Sequence, residues 1–330
     1  MRRTIFAIAV SIAAAARAQV SENITVARML LEVRVTDRQN EPVLGLTPDD
    51  VDVLVDGKPV PIESVLWYAD SAAARAAAGE EQPAEPQGRL FVVFVQNDFA
   101  RSNVRLTGQM KFFQEVHQIF DALDPEDRVA VLSFDSHLKL RLDFTTDKER
   151  VLAAVQASTL IDDPPIPDAA SGTSLVPLLD ATEMKNVASP EKALLMIADA
   201  LHAIPGDKSM LFLGWGLGQL SGGAVVLSRD YTAAARAIVA AHTTMYVLNT
   251  GLGGQLALGL KKAAVDSGGF YGSATSFATI AMERFHRAMQ GHYEVEIRRP
   301  DELPRGTHRI EVKVKRKAVT VMAPVQFVDE

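Results

Sequence analysis

Gln96, Asn97, Asp98 and Ser102 follow directly on an apolar run in the stretch RLFVVFVQNDFARS, and each carries an oxygen or amide able to engage a ligand. A short polar side chain just ahead of a helix can cap it, accepting hydrogen bonds from orphan amides. The same residue types, gathered from several loops, can instead form the oxygen cage that a hard cation such as Mg²⁺ requires. Two further loops hold candidates. One contains Ser171-Gly172-Thr173, preceded by Asp162, Asp163 and Asp168; the other is GWGLGQLSGG, with Trp215 between Gly214 and Gly216. Thr173 reads equally as a cap or as a ligand. The three aspartates read as a solvated acidic loop or as spare carboxylates. Trp215 is either core packing or a contact anchor, since tryptophan is enriched among interface hot spots. The 7 histidines follow no metal spacing. No GxGxxG follows the first apolar run, and GxxxxGK[ST] and GxSxG are missing, so no catalytic residue is assigned.

These residues need elements to position them. Leu90–Gln96 lacks polar alternation, as a strand covered on both faces does, and the turn after such a strand lies where open α/β sheets bind ligands. A helix is predicted from about Asn103 to Leu123, its apolar stripe formed by Leu106, Met110, Phe113, Val116, Phe120 and Leu123. Arg128–Phe134 is a second buried strand. Leu138–Phe144 alternates as an antiparallel edge strand with Leu138, Leu140 and Leu142 on one side. Thr146 and Glu149 form a capping box for the next helix, and Ser189-Pro190-Glu191 opens another that ends near Pro205-Gly206. Ser209–Leu213 and Thr243–Leu248 are strands, and GWGLGQLSGG is loop. Strands separated by helical patterns in this way imply a parallel sheet covered on both faces.

Both ends of the chain read differently. From Ile24 to about Tyr68, and again beyond His292, apolar residues recur with period two, including a hairpin turn at Asp56-Gly57. The expected fold is therefore α/β, a doubly wound, mostly parallel sheet with a small antiparallel β unit built from the N- and C-terminal segments. Residues 1–18 have a basic start, an apolar core and the Ala16-Arg17-Ala18 cleavage pattern of a secretory signal, the core falling short of the roughly 20 residues of a spanning helix. The other boundaries fall at 19–69 for the first β segment, 70–88 for a linker rich in Ala, Glu and Pro, 89–290 for the α/β domain and 291–330 for the second β segment. Removal of Arg2, Arg3 and Arg17 with the signal takes the net charge from −7 to −10. That acidity argues against nucleic acid. With no cysteine among 330 residues, disulfides, thiolate metal sites and cysteine-linked lipid anchors are excluded.

In order along the chain, FVVFVQND, DRVAVLSFDSHLKLRLDFTTD, SGTSL, MYVLNTG and AAVDSGGFYGSATSFATI resemble a von Willebrand factor type A domain of the divergent branch found in exported bacterial proteins. The segment VRVTDRQNEPVLGLTPDDVDVLVDGKPVPI resembles the β segment that precedes the domain in that branch. The resemblance implies a ligand-binding rim at the carboxyl ends of the strands, here Asn97, Asp98, Ser102, Thr173 and Trp215. It also implies a Mg²⁺ site from an Asp-x-Ser-x-Ser turn, a threonine and a further aspartate. Here the turn reads Asp98-x-Ala100-x-Ser102, and Trp215 stands where the last aspartate would. The metal ligands left are Asp98, Ser102 and Thr173, a degenerate set poor in carboxylate for Mg²⁺. The expectation is an exported, periplasmic or extracellular module that binds a protein or peptide without catalysis. Alternatives are a scaffold component of an envelope assembly or, with less support, an α/β hydrolase or nucleotide-binding enzyme.

Overall fold

The computed structural model describes residues 28–78, 88–97, 102–115, 123–300 and 302–329. The predicted signal, residues 79–87 of the predicted linker, and Asp98, Val116 and Phe120 lie outside them. The chain opens with β1 (Arg28–Thr36), β2 (Val51–Val55), β3 (Lys58–Val60), β4 (Ile62–Ala69) and the short helix α1 (Ala72–Ala78). Met29, Leu31, Val53 and Val55 are buried and alternate with exposed or partly exposed neighbours in the first half of β1 and in β2, as period two requires. Asp56 at φ 49° and Gly57 at φ 79° make the β2–β3 turn, both in the left-handed region that the tight hairpin demands.

The central sheet is built from β5 (Leu90–Gln96), β6 (Arg128–Phe134), β7 (Leu138–Thr145), β8 (Lys208–Gly214), β11 (Thr243–Asn249) and β12 (Tyr271–Ser273), in the spatial order β12-β11-β8-β5-β6-β7. All neighbours run parallel except β7, which is antiparallel to β6. On one face Phe91, Val93 and Val95 pack with α2 (Ser102–Glu115), α3 (Lys148–Ala157) and α8 (Ala274–Ala288). On the other, Val92 and Phe94 pack with α5 (Pro190–His202), α6 (Arg229–Ala240) and α7 (Ala257–Asp266). The short α4 (Ala181–Asn186) adds Met184 to the second core. Phe94 and Phe212, on neighbouring strands, stack with centroids 5.0 Å apart. With both faces covered, the only polar ends left to β5 and β8 are their termini.

The two ends of the chain meet in a β sandwich. β13 (Gly291–Arg298) lies between β1 and β4, and β15 (Thr320–Met322) adds to the far side of β1. The second sheet orders β16 (Gln326–Asp329), β14 (Gly306–Val314), β2 and β3. The antiparallel unit of N- and C-terminal segments is thus present, with its own core around Val33, Val53, Tyr293 and Ile310.

Four local expectations need correction. Met110 is 65 % exposed while Phe112 is fully buried, so the stripe on α2 is rotated from the predicted one. The cause is Gly108, whose missing side chain lets the helix approach Thr250; a Cβ there would lie 2.2 Å from the Thr250 carbonyl oxygen. In β7, register shifts against β6 send Leu142 to the opposite core from Leu138 and Leu140, because each extra residue reverses the side-chain phase. The cap of α3 is Asp147, which accepts from the amides of Glu149 and Arg150, and not Thr146. Finally, GWGLGQLSGG is not all loop: β9 (Gln219–Ser221) and β10 (Ala224–Val226) form a two-stranded ribbon. Its turn is Gly222-Gly223, at φ 57° and 81°, which suits the tight connection.

Candidate functional site: the carboxyl rim of the sheet

At the carboxyl end of β5 the chain turns from apolar to polar in a single step, and the two side chains there are fully enclosed. Gln96 reaches sideways to the β8 loop, where its Oε1 accepts from the Trp215 amide at 3.1 Å and the Gly216 amide at 3.5 Å. Asn97 ties β5 to β6 and α3. Its amide donates to Phe134 O at 2.6 Å, its Nδ2 donates to Ser158 O at 3.1 Å, and its Oδ1 has no hydrogen-bond partner among the described residues. Glu191 in the first turn of α5 is buried, and accepts from the Gly218 amide at 2.6 Å. A buried carboxamide, Gln96, and a buried carboxylate, Glu191, thus hold the glycine loop by its backbone, which fixes Trp215 at the rim. On the next strand, Asn249 Oδ1 accepts from the Gly251 amide at 2.8 Å, and its Nδ2 donates to the Tyr271 hydroxyl at 2.8 Å.

Trp215 is half-buried, its indole Nε1 shielded and without a partner among the described residues. It borders a cleft of about 450 Å³ together with Gln96, Ser189, Glu191, Val226 and Ser228. The β9–β10 ribbon forms the cleft's outer wall. Residues opposite each other on antiparallel strands share a face, so Gln219 and Val226 look into this cleft. Leu220 and Val225 look the other way, toward a second cleft of about 450 Å³ beside Leu258.

Thr173 is not at this rim. The segment after α3 descends along β7, where the buried Asp143 gathers it: its carboxylate accepts from the amides of Ala170 at 2.9 Å and Leu175 at 2.8 Å, and from the Ser174 hydroxyl. Arg128, at the amino end of β6, donates to Ser171 O at 3.1 Å. β6 has seven residues, so Thr173 lies roughly 20 Å from the carboxyl end where Asn97 sits. The structure therefore brings Asn97 and Trp215 to one end of the sheet and places Thr173 at the other; Asp98 is outside the described residues, and Ser102 opens α2.

Two of the three predicted spare acids are engaged in ion pairs, and the third, Asp168, is exposed. Asp162 pairs with Arg141 at 2.6 Å, and Asp163 with Lys185 at 3.3 Å. Asp135, at the β6–β7 turn, forms a buried ion pair with Lys139; burial opposes its ionisation, but Lys139 and the Ser136 amide hold its carboxyl below the ordinary value. Among the described residues no group of three or more His, Cys, Asp or Glu is placed to hold a metal ion. The described side chains of the rim do not fit a divalent cation. One unengaged carbonyl oxygen, Asn97 Oδ1, is far from the six or so ligands that Mg²⁺ demands. Sequence reasoning passed over Glu191 and Asn249, because each sits in an ordinary helix-start or strand-end pattern; nothing local marks the distant Gly218 amide that Glu191 receives or the Tyr271 hydroxyl to which Asn249 donates.

A mostly parallel sheet with helices on both faces, one antiparallel edge strand and a polar rim at its carboxyl ends defines a protein of von Willebrand type A-like fold. No protein-family model and no curated protein matches the sequence. Among solved structures the chain is similar to a von Willebrand factor type A protein of Catenulispora acidiphila, at 10 % identity and TM-score 0.44 over 92 % of this chain and 75 % of that one. It is also similar to a point mutant of the PilB minor pilin of Streptococcus sanguinis, at 15 % identity and TM-score 0.39, covering 64 % of this chain and 62 % of the pilin. A third is the hypothetical protein BatB of Bacteroides thetaiotaomicron, at 13 % identity and TM-score 0.38, covering 61 % and 98 %.

Proposed function

We propose that the chain is an exported, non-catalytic binding module that takes a protein or peptide partner at the carboxyl rim, with Trp215 as its anchor and no need of a bound metal ion. The observation that carries this reading is apolar surface left open at the rim. Val226, 53 % exposed, lines one of the clefts that flank the ribbon and Leu258, 61 % exposed, lines the other, while Leu220, 52 % exposed, lies opposite Val225 on the ribbon face turned to the second cleft. Contiguous exposed apolar side chains beside polar clefts mark interaction surfaces, and a half-buried tryptophan is a favoured anchor in them. The buried polar groups around it are largely engaged by backbone amides, and among the described residues of the rim no base and nucleophile are in contact. Export is carried by the signal pattern of residues 1–18.

A second reading, in which the protein is a scaffold docked through its β unit, is favoured by Leu30, Leu66 and Tyr68, which are exposed on the outer face of the β15-β1-β13-β4 sheet. Photo-crosslinking separates the two. A benzoyl-phenylalanine in place of Leu220 is expected to give a discrete adduct with a cell-envelope protein, and one in place of Leu66 none. The reverse pattern would replace the rim by the scaffold reading. Titration calorimetry with Mg²⁺, Mn²⁺ and Ca²⁺ is expected to show no one-site isotherm; a micromolar isotherm would overturn the metal-independent reading.

A further inference from the structure

Far from the rim, the sandwich leaves one strand edge unpaired. β15 pairs antiparallel with the second half of β1, matching Arg34 with Met322, Val35 with Val321 and Thr36 with Thr320. Continued, it would run along Val33 toward Arg28. Instead the chain turns away at Pro324, which bridges to Ser267. Val325 then donates to Asp266 O at 3.3 Å, and the chain proceeds to β16 in the other sheet. Proline has no amide to give a ladder, so a strand ends there readily. The first half of β1, Arg28–Val33, is consequently paired with β13 alone among the described strands.

That open edge borders a groove of about 600 Å³. Met29, Leu30, Leu31 and Glu32 all line it. Successive side chains of a strand point to opposite faces, so four consecutive residues line one groove only when it runs along the strand's edge. The opposite wall is β16, through Phe327 and Val328, and the floor includes Pro205 and Ala240. The groove is thus a slot between the edges of two sheets, lined by apolar residues such as Met29, Leu31, Phe327 and Val328 together with polar ones such as Glu32, Gln326 and Asp329, and supplied along β1 with backbone that no described strand pairs. Charge on the outer face of β1 is ordered along it, with Arg28 at one end, 60 % exposed although paired with Glu296 and Glu63, and Glu32 near the other, paired with Arg34.

We propose that this edge receives an extended segment of a partner polypeptide, added antiparallel to β1 as a continuation of β15. The segment is apolar where it faces Val33, Leu31 and Met29, basic opposite Glu32 and acidic opposite Arg28. The pairing supplies the backbone hydrogen bonds that β15 forgoes at Pro324, and the alternate side chains enter the slot between the two sheets. This surface is separate from the rim and stands whether or not the rim reading holds.

The test uses the full chain and a capped hexapeptide, Val-Lys-Val-Thr-Val-Glu, whose order matches that register. Binding by NMR titration is expected, with slowed hydrogen exchange confined to the amides of residues 28–33. N-methylating the second, fourth and sixth amides in one peptide, and the other three in a second, removes donors without changing side chains. One of the two is expected to bind at least tenfold more weakly, the loss of two or three net hydrogen bonds at about 1 kcal/mol each. Ala240→Trp, which fills the floor from a helix surface, is expected to abolish binding while the melting temperature stays within a few degrees. The proposal is overturned if the parent peptide does not bind, if both methylated peptides bind as well as the parent, or if exchange slows at the rim instead. Binding seen only after removal of residues 1–27 overturns it too, since the chain's own segment would then hold the slot.

Discussion

His292 is the residue whose charge the structure controls most directly. It is nearly buried, with Nδ1 2.8 Å from an Asp70 oxygen and 4.0 Å from Glu32. Burial disfavours the charged ring, yet the hydrogen bond to Asp70 and the negative charge of Glu32 outweigh it, and its pKa is raised above the ordinary 6.5. A group held more basic in the folded state contributes stability that is complete below the unfolded value and is lost as pH rises through the folded one. Urea unfolding followed from about pH 5.5 upward is therefore expected to show stability falling above roughly pH 6.5, and His292→Gln to remove that fall. An unchanged slope in the variant would place the proton elsewhere. Nothing in the sequence forecasts this group: His292 is one of the scattered histidines, and its carboxylate partners Asp70 and Glu32 are more than 200 positions away. For Trp215 the sequence left core packing and a contact anchor open, and its place after β8 was implied by the resemblance and not by any local pattern. Thr173 was misplaced, because a hydroxyl in a loop carries no record of which end of the sheet the loop visits.

Two elements carry the departures from expectation. The segment after α3 is one: it lies along β7 and turns an edge strand that alternates in sequence into one buried on both faces. Asp143 holds it with three hydrogen bonds besides that to the Phe144 amide. Asp143→Ala is expected to cost about 3 kcal/mol in urea unfolding, because several buried donors lose their acceptor at once, with Asp143→Asn recovering part of that. The β9–β10 ribbon is the other. Its residues are mostly exposed, and a lone pair of strands is marginal in water. Its turn depends on two glycines at positive φ, where an alanine costs on the order of 1 kcal/mol each. The double substitution Gly222→Ala, Gly223→Ala is expected to accelerate hydrogen exchange at residues 219–226 while leaving the global melting temperature within a few degrees. A large drop in melting temperature would mean that the ribbon supports the core. The glycine content that made this stretch read as loop is the same feature that permits its hairpin, so composition alone did not separate the two.

At the scale of the molecule, Arg34 joins the sandwich to the α/β domain. Buried on β1, it donates to Ala288 O at 2.9 Å and to Thr244 Oγ1 at 3.5 Å, pairs with Glu32, and lies 3.7 Å from Asp70. Its guanidinium also sits over Tyr246, 5.9 Å from the ring centre. Burial works against its charge, but Glu32 and the other nearby acids more than compensate, and its pKa rises. Arg34→Ala is expected to cost roughly 3–5 kcal/mol by stranding Glu32 and Asp70, and to give two calorimetric transitions where the parent protein is expected to show one. Loss of stability with one transition kept would show the units still coupled through β15 and Pro324. What the sequence determined by itself was the kind of each long element and the class of fold, because apolar period and run length are local consequences of which faces are buried. The antiparallel unit drawn from both ends was equally legible from that period. What only the tertiary structure decided was where the loops go and which distant groups meet: Thr173 at the foot of the sheet, Glu191 on the glycine loop, Arg34 over Tyr246, an open edge beside Pro324. Those placements rest on contacts between residues far apart in the chain, and a hydrogen bond made across such a separation leaves no periodicity at either end.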